Sequence, residues 1–199
     1  MTDVAEPISD LEKRFTKRDS PTVITNEEMY FDPNDLIVSR TDTRGTITQC
    51  NDIFAKMSGW TEDELMGSNH NLIRHPDMPQ IAFQVAWDII KDKKEFFGYV
   101  KNLRKDGGFY WVFAYIIADW DDDGVITGYT SYRRFAPKLA VDTMTPIYEL
   151  LLAAEKKGGM EYSGAVLNKF LKDNGFASYD LFIVELQMKA NATLEQNKS

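Results

Sequence analysis

The stretch IRHPDMPQ, residues 73–80, sets a guanidinium, an imidazole and a carboxylate on one short loop: Arg74, His75 and Asp77. A plain linker would use Gly, Ser and Asn. A planar guanidinium fork suits phosphates and flat heteroaromatic rings, and an imidazole can stack or donate a hydrogen bond. Pro76 and Pro79 remove backbone freedom from the same loop, which lowers the entropy lost when something binds. A structural use competes with this reading. Asp77 can cap the helix that follows, with Pro79 in its first turn, and Arg74 can pair with a neighbouring acid. For Asp77 the two uses are compatible.

Two asparagines raise the same question. Asn51 opens a helical segment, where this residue type most often caps. Asn102 lies in the middle of the β-rich run YVKNLRK, where Asn has poor propensity. On an inward face its amide requires a partner for both ends. Strand alternation puts Phe96, Gly98, Val100 and Asn102 on one face, and Tyr99, Lys101 and Leu103 on the other. The first set reads as a pocket wall, with Gly98 open to the close approach of a flat ring. Trp87, Phe109, Trp111 and Phe113 read first as core aromatics, Trp87 being the best placed also to touch a ligand. His70 and His75 leave haem ligation open.

These side chains are positioned by a regular series of elements. LIVSRTD and TITQC form a hairpin across TRG. NDIFAKMSG is a short helix stopped by Gly59. TEDELMG has Thr61 as N-cap, Glu64 completing a capping box and Gly67 as stop. In AFQVAWDIIKD, Phe83, Ala86, Trp87 and Ile90 recur at amphipathic-helix spacing. FFGYVKNLRK, FYWVFAYIIADW and VITGYTSYRRF are strands joined by turns at DGG and DDDG. The order β-β-α-α-α-β-β-β predicts an α+β fold, with a five-stranded antiparallel sheet and short helices on one face enclosing a pocket.

Beyond Pro137 the pattern turns helical. VDTMTPIYELLLAAEKKG and YSGAVLNKFLKDNG read as helices ended by Gly158 and Gly175, and SYDLFIVELQMKANATLEQ as a third. Their apolar stripes must be buried on the sheet, on each other or on a second chain. The organisation read from the sequence is a mobile N-terminal arm (1–30) with a short helix near Ser9–Lys17, an α+β domain (31–136), and a C-terminal helical extension (137–199).

Composition narrows the function classes. With 31 acidic against 23 basic residues the net charge is −8, which argues against nucleic acid or an anionic membrane as the main partner. The single cysteine, Cys50, excludes a disulfide framework or a cysteine-rich zinc site within one chain. No window approaches the roughly 18 apolar residues of a membrane span, and the first residues lack the apolar run of a signal peptide. A cytoplasmic protein without direct membrane insertion is expected. No nucleophile elbow, P-loop or metal-ligand cluster is present, so an enzyme is not expected.

The run CNDIFAKMSGWTEDELMGSNHNLIRHPDMP, together with AFQVAW, GYVKNLRKDGGFYWV and GYTSYRRF, resembles the PAS family. Within it the match is to the FAD-binding PAS domains of aerotaxis receptors and CetB-type energy-taxis proteins. The resemblance spans about residues 36–135. HNLIRHPDMP is its specific part, whereas Asn-x-x-Phe at Asn51–Phe54 is common to many PAS domains.

The resemblance implies a PAS domain at 31–136 that binds FAD non-covalently and reports redox or energy state, with cofactor-binding residues Arg74, His75, Asp77, Asn51, Trp87, Phe96 and Asn102. It implies FAD over FMN, because a loop bearing Arg74 and His75 at the pocket mouth has a second phosphate to hold. The implied partner is a membrane chemoreceptor with a HAMP-type relay or a histidine kinase, with a homodimer as a further option. The chain departs from the aerotaxis pattern at Phe96, where those receptors carry tryptophan; a phenyl ring still stacks but lacks the indole N–H. Cys50 is not placed as the photochemical cysteine of light-sensing PAS domains is. A haem-based gas sensor and a cofactor-free interaction module remain the alternatives.

Overall fold

The computed structural model describes residues 21, 23–92 and 95–196; the short helix expected near Ser9–Lys17 lies outside them. The alternating runs form five strands, β1 (Ile37–Asp42), β2 (Ile47–Cys50), β3 (Phe96–Leu103), β4 (Phe109–Trp120) and β5 (Ile126–Phe135). They make one antiparallel sheet in the order β2-β1-β5-β4-β3. Between β2 and β3 stand α1 (Asp52–Ser58), α2 (Glu62–Leu65), a 3-10 turn (His70–Ile73) and α3 (Gln80–Lys91). The α+β class and the element order are those read from the sequence.

Strand alternation sorts the core. Tyr110, Val112 and Ala114 of β4 pack with Phe54, Met57 and Leu65 of the short helices. On β3 their register partners are Asn102, Val100 and Gly98, so the predicted wall does face the short helices. Local signals hold where their chemistry is complete. Thr61 and Glu64 make the expected reciprocal capping box on α2.

The stripe on α3 is rotated from expectation. Its buried residues are Ile81, Ala82, Ala86 and Ile90, while Trp87 stays 38% exposed. The helix turns its alanines inward because another helix packs there, and small side chains permit close approach. That neighbour is α4 (Lys138–Asp173), followed by α5 (Tyr179–Gln196). Gly158 was expected to end a helix. Instead the chain breaks helical geometry only at Gly158 and Gly159 (φ 70, ψ −169) and resumes at once, so two expected helices form one jointed element.

The extension buries its stripe on the domain and on itself. Ala140, Met144 and Leu151 of α4 and Ile183 and Leu186 of α5 share a core with Tyr99, Trp111 and Phe96. Tyr99 and Trp111 lie on the sheet face opposite Tyr110, whereas Phe96 lies on the same face as Tyr110. The extension therefore covers the outer face and wraps the β3 edge.

At the other end, the backbone pairs before residue 31. Thr25 N–H donates to Gly107 O, Met29 N–H to Phe109 O and Phe109 N–H to Glu27 O, all at 2.8–2.9 Å. Gly107 takes φ 90, and a Cβ there would lie 2.1 Å from Val23 O. The stretch read as the end of a mobile arm thus lies against the β3–β4 turn.

Candidate functional site

A cation is buried between the sheet and the short helices. Arg133 of β5 is 2% exposed. Its register partners, Ala114 on β4 and Ile37 on β1, place it on the inner face. The guanidinium lies 4.5 Å over the Phe54 ring, and Nη2 donates to Ser39 Oγ. Nε and Nη1 have no partner among the described residues. Burial lowers Arg133 to about 10, so it remains charged at neutral pH.

The groups around it are polar but uncharged. His70 stacks on the other side chain of this layer, Phe54, at 5.8 Å and 20°, with Nε2 3.4 Å from Ser39 Oγ. Burial, reinforced by Arg133, lowers His70 to about 3, so the ring is neutral. Tyr110 and Asn102 sit opposite each other across the β3–β4 ladder. The Tyr110 hydroxyl and Asn102 Nδ2 are buried and face each other, close enough for Asn102 to act on Tyr110 but without a well-formed hydrogen bond to any described residue. Burial pushes Tyr110 up to about 12, which keeps it a donor. Arg133, Asn102 and Tyr110 thus offer N–H and O–H groups to an acceptor that the described residues do not supply. Each unmade buried hydrogen bond costs about 1–3 kcal/mol.

The Arg-His-Pro-Asp loop forms a second layer. Its backbone joins the sheet, since Arg74 bridges to Asn102. The Arg74 guanidinium lies 4.2 Å over Phe83, and Nη2 donates to Met78 O at 3.4 Å. Burial lowers Arg74 from the ordinary arginine value, and Glu155 acts to raise it. His75 is 2% exposed. Its Nδ1 accepts from Asp77 N–H at 3.1 Å, which leaves the other nitrogen, Nε2, to carry the proton, buried and without a partner. Burial, then Lys101, lowers His75 to about 4. At neutral pH the approach of Nδ1 to the Asp77 carboxylate, 3.5 Å, is therefore not an ion pair. A cavity of about 340 Å³ opens beside the loop, lined by Arg74, His75, Gln80, Leu152 and Glu155 among others.

The fold gives several of these side chains partners of their own, and one expected cap is made elsewhere. Asp77 does not cap α3: Pro79 occupies the N-cap position with no side-chain cap, and the Asp77 carboxylate pairs with Lys101 Nζ at 2.6 Å. Asn51 caps α1 as expected and also ties the helix to the β1 segment. Its Oδ1 accepts from Val38 and Phe54 N–H, and its Nδ2 donates to Leu36 O. Trp87 lies edge-on to Tyr129 at 4.9 Å. The ring that approaches Gly98 belongs to the protein. A Cβ at Gly98 would lie 2.5 Å from Phe96 Cζ and 3.2 Å from the Tyr179 hydroxyl. Tyr179, the first residue of α5, stacks parallel on Phe96 at 6.1 Å and 3°.

Asn102, His75 and Arg74 are thus brought to one region, and Arg133, Tyr110, Tyr179 and Glu155 were missed. Arg133 had a legible signal. It alternates in phase with Tyr129, Ser131 and Phe135 in β5, so a charge stood at an inward strand position. Tyr110 was legible as the residue before Trp111 in a strand of known phase. Tyr179 and Glu155 had none, because only packing of the extension brings them here.

Residues 47–133 match the family model described as PAS fold. The chain is 36% identical over 146 residues to the aerotaxis receptor of Escherichia coli (strain K12), a match covering 73% of this chain and 28% of the receptor. It is 26% identical over 133 residues to the bacterioopsin transcriptional activator of Halobacterium salinarum, covering 66% of this chain and 19% of that protein. The chain therefore spans less than a third of either relative. Among solved structures, the dark structure of the blue-light photoreceptor Aureochrome1 LOV superimposes with TM-score 0.49 at 13% identity, covering 75% of this chain and 97% of that one.

Proposed function

Because residues 47–133 belong to the PAS fold family, we propose that this chain is a signalling sensor that holds FAD non-covalently between its sheet and short helices and passes flavin redox state to a partner. The observation that carries the reading is the buried Arg133 with two unpartnered guanidinium nitrogens, beside an Asn102 amide nitrogen and a Tyr110 hydroxyl that lack a well-formed hydrogen bond. A flavin offers a flat ring edged by carbonyl and ring-nitrogen acceptors, and its reduction adds negative charge at that edge.

The chain's own groups suit such a ring. Arg133 holds a fixed positive charge in a water-poor site, where electrostatic effects are stronger than in water. It favours the more negative state of whatever lies beside it. Asn102 can present either end of its amide, so a change from acceptor to donor on the ligand is met by rotation. One exchanged hydrogen bond is worth about 1 kcal/mol, which shifts a two-state population about fivefold. That amount suits a sensor biasing a partner. Arg74 and His75 at the loop stand ready for the phosphates of a dinucleotide.

The proposed output follows the aerotaxis or energy-taxis type: a cytoplasmic protein that engages a membrane chemoreceptor with a HAMP-type relay, or a histidine kinase. The name of the relative with the highest identity above supports a receptor pathway. No helix among the described residues is long and apolar enough to cross a membrane.

One spectrum tests the cofactor. The purified chain is expected to be yellow with flavin bands, and heat should release FAD on chromatography against standards. A Soret band, recovery of FMN alone, or a colourless protein whose seat is filled by its own aromatics overturns the reading.

A further inference from the structure

The N-terminus of α3 is capped from far away in sequence. Ile81 N–H donates to Glu155 Oε1 at 2.9 Å, across 74 residues. The helix supplies no cap of its own: Pro79 makes none, and its first turn contains no acid. A helix N-terminus attracts an anion through its free N–H groups and dipole, and here α4 provides that anion. The same cavity is lined by Arg74 and by His75. His75 is 2% exposed, and its Nε2 has no partner among the described residues. Arg74, the buried His75 and Gln80 at the start of α3 line one cavity, and the Glu155 carboxylate that caps the helix lies in its wall.

We propose that Glu155 competes with a phosphate group of the ligand for this seat, so that α4 is docked on α3 when the seat is empty of ligand and loosened when phosphate takes it. The proposal rests on the dinucleotide reading above and adds the residue that reports occupancy to the extension. Arg74 attracts the phosphate, whereas Glu155 repels it. By linkage, whatever strengthens phosphate binding weakens the Glu155 cap to the same degree. Gly158 and Gly159, three and four residues beyond Glu155, give α4 a joint at which to move.

The test compares the wild-type chain, freed of flavin, with Glu155→Gln. The amide keeps an acceptor for Ile81 N–H and removes the charge. Titration with inorganic pyrophosphate and with FAD should show about fivefold tighter binding in the variant, the size of one like-charge contact in a half-exposed site. Riboflavin, which carries no phosphate, should bind equally to both. Adding Arg74→Ala should cancel the gain. Unchanged pyrophosphate affinity, or FAD and riboflavin shifting alike, overturns the competition. If neither flavin binds but pyrophosphate still tightens, the seat stands and the flavin reading falls. Amide exchange in the wild-type chain needs no variant: bound pyrophosphate should raise exchange in α4 around Glu155, and unaltered exchange there counts against the proposal.

Discussion

The inner and outer faces of the sheet treat buried polar groups in opposite ways. On the outer side, under α4 and α5, they are paired. Tyr148 donates to Tyr99 O at 2.6 Å, Tyr99 donates to Gln187, and Ser163 donates to Leu151 O at 3.1 Å. On the inner side Arg133, Asn102 and Tyr110 keep donors without acceptors. Leaving such groups unmade is costly, so the inner face gives up stability that the outer face keeps. The outer face is finished by the chain itself, whereas the inner face keeps donors that no described residue satisfies. Tyr179 belongs to both: it comes from the extension, stacks on inner-face Phe96, and its hydroxyl interacts with that of Tyr148 without a well-formed hydrogen bond.

Acid should expose the contrast most strongly. Both histidines of the chain, His70 and His75, lie in the inner region, with values of about 3 and about 4 against the ordinary 6.5. The folded values lie below the unfolded ones, so the unfolded chain binds more protons between them. Stability is then complete above about pH 6.5 and is lost as pH falls toward 4, on the order of 3 kcal/mol per histidine. Urea midpoints measured from pH 7.5 to 4 check this, and His70→Phe should remove about half of the slope while keeping the stack on Phe54. A flat profile would break the assignment of these rings as neutral and buried.

A core deletion on the finished side comes next. Leu151 is 2% exposed within the α4–α5 core, and Leu151→Ala is expected to cost about 3 kcal/mol. Chemical denaturation reads it directly. A cost below about 1 kcal/mol would show that the extension is loosely held and that its satisfied hydrogen bonds are not those of a finished core.

Arg133→Met is the smallest of the three and has the opposite sign. It removes a buried charge with two unmade donors and keeps the bulk over Phe54. The ligand-free chain should gain about 1–2 kcal/mol while losing most of its bound flavin. Denaturation of the ligand-free protein and flavin occupancy are measured together. A destabilised ligand-free variant would mean that the inner face is as complete as the outer one.

Much of the inner layer was legible in the sequence. The strand phase of FFGYVKNLRK placed Asn102 on the wall, the capping box at Thr61 formed as read, and the IRHPDMP loop lies against β3 through Arg74 and Asn102. These features depend on neighbours close in sequence or on a period of two, and such signals survive without knowledge of the fold. Arg133 was within reach of the same argument. Asp77 and Asn51 were read by residue type, and residue type allows both a cap and a site. The Lys101 ammonium drew Asp77 away from the helix, while Asn51 took the cap and the β1 backbone together.

The sequence by itself determined the strands, the short helices, the turn residues between them and the chemistry on the proline-stiffened loop, because each rests on local propensity and periodicity. Only the tertiary structure decided where the extension goes. It set Tyr179 on Phe96 over Gly98 and brought Glu155 to the N-terminus of α3. An apolar stripe specifies that a helix face must be buried but not against what. The partner surface is chosen by shape and by long-range contacts such as that between Ile81 and Glu155, 74 residues apart, and no local pattern encodes them.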